Sequence, residues 1–112
     1  MTARKLDGFL RLVRDLTVGD PLAKQQERID EAAKLEAEHT SQAAYHRTLA
    51  THYGDRVALI KPHDDPWGFA AARQKQLDHQ ALLATASERA ADASARRRAE
   101  TTKLAALRER AA

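Results

Sequence analysis

The sequence predicts an all-α protein: a short N-terminal amphipathic helix, then two long helices forming an antiparallel helical hairpin or coiled coil that self-associates. Three observations carry this reading. Ala, Leu, Arg, Glu, Gln and Lys, the strong helix formers, dominate both long segments. Asp-Pro pairs with helix-start character stand at Asp20-Pro21 and Asp65-Pro66. Apolar residues recur at steps of three and four, and only one short run is rich in β-branched residues.

The first helix is expected from about Ala3 to Val18. Leu6, Phe9, Leu10, Val13 and Leu16 form one apolar stripe, and Arg4, Lys5, Arg11 and Arg14 lie largely off it. A helix this short is marginal alone in water, so the stripe needs cover. It folds back on the long helices by default, or docks into a partner's groove. A membrane surface is the least favoured cover, because Asp7 and Asp15 dilute the positive charge. Gly19-Asp20-Pro21 then reads as a stop, an N-cap and a proline at the first helical position, where its missing amide costs nothing.

The second helix is expected from Pro21 to Tyr53, ended by Gly54. Its apolar residues change sides: Leu22, Ile29 and Ala33 on one, Leu35, Tyr45, Leu49 and Tyr53 nearly opposite. This predicts either a bend or break near Thr40-Ser41 or a helix covered on two sides. A helix-turn-helix across Ile29 to Tyr53 lacks a glycine to mark its turn. The connector is then Gly54 to Asp65. Its Arg56-Val57-Ala58-Leu59-Ile60 run reads as a helical turn, since a lone strand has no sheet partner. Pro62 and Pro66 are expected to keep the rest extended.

The third helix is expected from Pro66 to Arg110. Alternating steps of three and four collect Phe69, Ala72, Gln76, His79, Leu83, Ala86, Ala90, Ala93, Arg97, Glu100, Leu104, Leu107 and Ala111 on one heptad-type seam. The alanines along its middle let another helix approach closely, but each buries little area. Gln76, His79, Arg97 and Glu100 would set register at some cost in stability. A continuous helix here would run roughly 65 Å. The second helix is too short to cover it, which predicts pairing with another chain.

Composition bounds the rest. The 112 residues suffice for a single helical domain, 1–112. Cysteine is absent, so disulfides, thiolate metal sites and cysteine nucleophiles are excluded. No apolar run approaches the ~20 residues of a membrane span, and no secretory h-region opens the chain. A cytoplasmic location is therefore expected, and the Ala- and Arg-rich composition points to a GC-rich bacterial or phage genome. The net charge of +3 is mild.

The chemistry-bearing residues are sparse. His39, His46, His52, His63 and His79 include no i, i+4 pair and no His-Glu-x-x-His motif, so solvated surface histidines are expected and no metal site. Ser41, Ser87 and Ser94 lack a nucleophile elbow, and no glycine-rich phosphate loop exists. An aromatic-poor helical chain also has little material for walling a pocket. No enzyme activity, cofactor or small-molecule substrate is expected. Arg89, Arg96, Arg97, Arg98, Lys103, Arg108 and Arg110 make the C-terminal end basic and form the candidate nucleic-acid surface. The competing reading is a solvated helix with i, i+4 pairs, Asp92 with Arg96 and Arg96 with Glu100. Trp67 and Phe69 open the third helix. Packing against Val57, Leu59, Ile60 or Tyr53 is the preferred role, and an exposed anchor for a partner the other.

Two functions follow as expectations. The first is a non-enzymatic helical interaction protein, an adaptor, assembly factor, inhibitor or scaffold. Its candidate contact residues are Leu6, Phe9, Leu10, Val13, Leu16, Trp67 and Phe69, toward a protein partner or a second copy. The alternative is a nucleic-acid-binding regulator or architectural protein that uses the basic C-terminal helix.

Overall fold

A computed structural model of the protein describes residues 20–112. The described chain is helical, with α1 at Pro21–Leu59 and α2 at Pro66–Ala111. The expected first helix, with Leu6, Phe9, Leu10, Val13 and Leu16, lies outside the described residues.

Both helix starts follow from their caps. Asp20 Oδ1 accepts from the Leu22 amide at 3.0 Å, and Asp65 Oδ1 accepts from the Gly68 amide at 2.9 Å. Each satisfies one of the donors that a helix leaves open at its first turn. Pro21 and Pro66 follow directly, where no amide is needed. A Cβ at position 68 would collide with the Asp65 carboxylate, so glycine there leaves room for the cap. Asp65→Ala is expected to lower the unfolding free energy by about 1 kcal/mol, measured by urea denaturation. An unchanged midpoint would show that water serves the Gly68 amide equally well.

The described residues form two compact units, one from 20–33 with 95–112 and the other 34–94. In the larger unit, α1 pairs with α2 across the turn at 60–65. The contacts of His46 with His79 and of Gly54 with Gln76 step along the two helices in opposite directions, so the pairing is antiparallel.

The α2 seam in this unit is as the spacing predicts: Ala72, Ala86 and Ala93 are buried, and Phe69, Gln76, His79, Leu83 and Ala90 half-buried. In the smaller unit the same register buries Leu104 and half-buries Arg97, Glu100 and Leu107, while Ala111 is exposed. The helix is unbroken through 84–95.

The register of α1 departs from the expectation. Its least exposed side chains step by threes and fours without changing face. Leu22, Gln25, Ile29 and Ala32 occupy the smaller unit, and Glu36, His39, Ala43, His46, Ala50, Tyr53, Val57 and Ile60 the larger. Helix runs unbroken through Thr40 and Ser41, so there is neither a break nor a helix-turn-helix. The apolar residues misled because seven of these twelve seam residues are polar or alanine. Tyr45 is largely exposed, and Leu35 and Leu49 flank the seam rather than lie on it.

Gly54 does not end α1 either. Its φ is not positive, and the helix runs on through Leu59, closing with the Ile60 amide on the Arg56 carbonyl at 3.1 Å. Gly54 instead faces Gln76 of α2, whose Nε2 would lie 2.9 Å from a Cβ placed there. The connector shortens to 60–65. Pro62 starts a turn instead of extending it, and the Asp64 and Asp65 amides both donate to the Lys61 carbonyl at 3.1 Å. The seven-residue excess of α2 (46 residues) over α1 (39) is smaller than the sequence reading supposed, so helix length alone is a weaker reason for self-association.

The buried apolar set is six alanines and Leu104. Alanine removes little surface from water, roughly 25 cal/mol per Å² buried. Its value is close helix approach and the highest helix propensity.

Candidate functional site

Two features stand apart from the alanine seam. The first lies at the turn. Trp67 is 85% exposed and Leu59 83%, and they flank the six residues of the connector. This corrects the preferred expectation that Trp67 packs against Val57, Leu59, Ile60 or Tyr53. Trp67 is the second residue of α2, two positions before the seam begins at Phe69. Of the two aromatic partner candidates, Phe69 is half-buried and belongs to the helix pairing, whereas Trp67 is free to contact something else.

The second feature is a polar layer between α1 and α2 inside the larger unit. His46 Nδ1 lies 3.0 Å from His79 Nδ1. Their ring centroids are 5.3 Å apart and the planes differ by 29°. That separation equals the nitrogen–nitrogen distance plus one ring radius on each side. The two imidazoles therefore meet edge to edge, with both Nδ1 lone-pair directions on one line. One nitrogen carries a hydrogen and donates it, and the other accepts. A metal ion does not suit this arrangement. A linear ion between two imidazoles needs about 4 Å of separation, and an angled one needs converging lone pairs. Among the described residues, no group of three or more His, Asp or Glu gathers for a metal.

Tyr53 lies parallel to His79, with centroids 5.7 Å apart and planes 2° apart. Lys75 Nζ sits 5.9 Å from the Tyr53 ring centroid, at the outer edge of cation–π reach. Gln76 accepts from Arg73 Nη1 at 2.8 Å and packs against Gly54. The other histidines conform to the surface expectation more closely. His52 and His63 are exposed, and His39 pairs with Gln42 on its own helix at 3.1 Å.

The spacing puts His79 on the α2 seam and lets His39 and His46, seven apart, share a face of α1, but it does not join His46 to His79. The signal was present: a walk of threes and fours from Leu22 reaches His46 on the way to Tyr53. It was masked because the walk passes through Gln25, Glu36 and His39, which carry no apolar periodicity.

In the smaller unit, Gln25 is 5% exposed and is the one buried polar residue among those described. Its Nε2 donates to the Glu100 carbonyl at 2.8 Å and to the Glu100 carboxylate. That bond, with help from Lys103, holds the Glu100 carboxyl below the usual carboxylate range, against the opposing effect of burial. Glu100, a polar residue of the α2 seam, thus meets a polar partner on α1 within the smaller unit.

Arg89, Arg96, Lys103 and Arg110 recur every seven residues along α2 and are all exposed, while Arg97, Arg98 and Arg108 lie elsewhere around the helix. Arg96 reaches Glu31 at 3.8 Å rather than its expected helical neighbours Asp92 and Glu100. Arg97 is half-buried on the seam, and Arg98 is exposed. Lys103 pairs with Glu100 at 3.3 Å. Arg89, Arg108 and Arg110 are exposed. Among the described residues, no helix is long and apolar enough to cross a membrane.

No protein-family model matches this chain, and neither a curated protein nor a solved structure does.

Proposed function

We propose that this chain is a non-enzymatic helical interaction protein, an adaptor, assembly factor, inhibitor or scaffold. In this reading it engages a protein partner through the turn that carries Leu59 and Trp67. The observation behind it is the near-complete exposure of these two side chains on either side of a short, capped connector. Trp is the side chain most often found to dominate an interface when it enters a partner's pocket. The connector holds it on rigid backbone, since the Asp65 cap and the Lys61 turn order the residues just before it. Little ordering entropy is then lost on binding. Finer features, coiled-coil pairing along the seam and self-association, belong to the same proposal.

Trp67 is the only tryptophan, so its fluorescence reports on the proposed contact directly. The free protein is expected to emit as a water-exposed indole, open to aqueous quenchers. Adding a captured partner should shift emission to the blue and protect it from quenching. Trp67→Ala should weaken capture by at least about tenfold, the scale of a hot-spot residue, with helix content unchanged. Capture that is indifferent to both Trp67→Ala and Leu59→Ala would sink this reading. Capture that vanishes on nuclease treatment and in an Arg96→Gln, Arg97→Gln, Arg98→Gln variant would replace it with phosphate binding, which also weakens steeply with salt.

A further inference from the structure

We propose that a second apolar stripe on α1 is the interface of an antiparallel homodimer, with α1 of one copy lying against α1 of another. The stripe is Leu35, Tyr45, Leu49 and Leu59, interleaved with Glu38, Gln42, His52 and Arg56. Each of these residues precedes a residue of the α1 seam by one position, as Leu35 precedes Glu36 and Tyr45 precedes His46. The stripe therefore lies about 100° around α1 from the face that meets α2. A helix at the corner of a four-helix bundle has its two neighbours at nearly that angle.

The stripe is open in the single chain. Tyr45 is 62% exposed, Leu35 and Leu49 are half-buried, and the four polar residues are exposed. Leu35, Tyr45 and Leu49 are also the residues that give α1 a second apolar side in the sequence. Ser41 and Thr48, small and exposed, border the stripe on its outer edge and leave room for a close approach.

The order of side chains identifies the occupant as a second copy. Turned end over end about a two-fold axis level with Arg47, the stripe matches itself at every position. Leu35 then meets Leu59 of the second copy, Tyr45 meets Leu49, Gln42 meets His52, and Glu38 meets Arg56. A two-fold interface is self-complementary in this way, each contact occurring twice. The charges select the direction. Glu38 and Arg56 make no ion pair with any described residue. They stand roughly 27 Å apart along α1, so they meet only across two copies. A parallel pairing in register would instead set Glu38 on Glu38 and Arg56 on Arg56, like charge against like. This dimer rests on the self-association included in the functional reading, gives it a surface, and leaves Trp67 on α2 free for a partner.

The test is the molar mass of the full chain, by sedimentation equilibrium over a concentration series. Wild type is expected to approach twice the monomer mass. Tyr45→Glu should weaken the dimer at least about tenfold, with helix content unchanged because Tyr45 supports no core. Glu38→Arg and Arg56→Glu should each weaken it by about tenfold, since each reversal opposes like charges at two symmetric points. The two reversals together should restore it. Trp67→Ala and Leu77→Ala should dimerise as wild type does. Register is read a second way, because the chain has no cysteine of its own. Gln42→Cys combined with His52→Cys places two thiols roughly 15 Å apart on one helix, too far to bridge within a chain. Mild oxidation should give a covalent dimer from this double variant and not from either single one. A monomer at every concentration would overturn the proposal. So would a dimer indifferent to Tyr45→Glu, or single reversals that the double reversal fails to rescue. Trp67-dependent capture that survives loss of the dimer would show that this interface has failed and the functional reading has not.

Discussion

Ala91→Pro is expected to lower the unfolding free energy by about 3 kcal/mol or more, measured by urea denaturation of the full chain. Ala91 is exposed near the middle of α2, so the change removes no core contact. The loss comes from the backbone alone. Proline lacks the amide that bonds four residues back, and its ring strikes the carbonyl of Ser87. Ala91→Gly supplies the scale, since it keeps the amide and costs about 1 kcal/mol in helix propensity. A proline variant that matches the glycine variant would mean that the helix is not carrying its full hydrogen-bond ladder across 84–95.

Leu104→Ala is expected to cost about 2–3 kcal/mol, the low end for truncating a buried leucine. Leu104 is 5% exposed and is the one buried side chain larger than alanine in the apolar set. Leu77→Ala is the control. Leu77 is 42% exposed, and its truncation should cost well under half as much. Similar losses at both sites would show that Leu104 is not packed in solution as described. Together the two experiments separate the contributions to this fold: continuous backbone hydrogen bonding in α2 and one sizeable apolar contact in the smaller unit.

These magnitudes also indicate why polar layers matter here. With an alanine seam, each turn of helix pairing contributes little from burial. Pairs such as Gln25 with Glu100 and His46 with His79 then decide which residues face each other, because misplacing them leaves a polar group without its partner.

The sequence by itself determined the all-α class, both capped helix starts, the end of α2 to within a residue and the seam of α2. Each rests on local or periodic chemistry. A cap acts within three residues, proline fixes its own φ, and Phe69, Leu83, Leu104 and Leu107 give the α2 stripe an apolar period that needs no partner to be seen. Tertiary structure alone decided the register of α1, the length of the connector and the exposure of Trp67. The α1 seam uses Gln25, Glu36, His39 and His46, and polar side chains reveal a buried face only through the groups they meet. Gly54 looks the same in sequence whether it stops a helix or admits Gln76 from the facing one. Trp67 is a large apolar residue whose local sequence fits a core or a contact equally well, and only the path of α2 places it in solvent. The pairing of His46 with His79 joins residues 33 positions apart, and no local rule reaches across that interval.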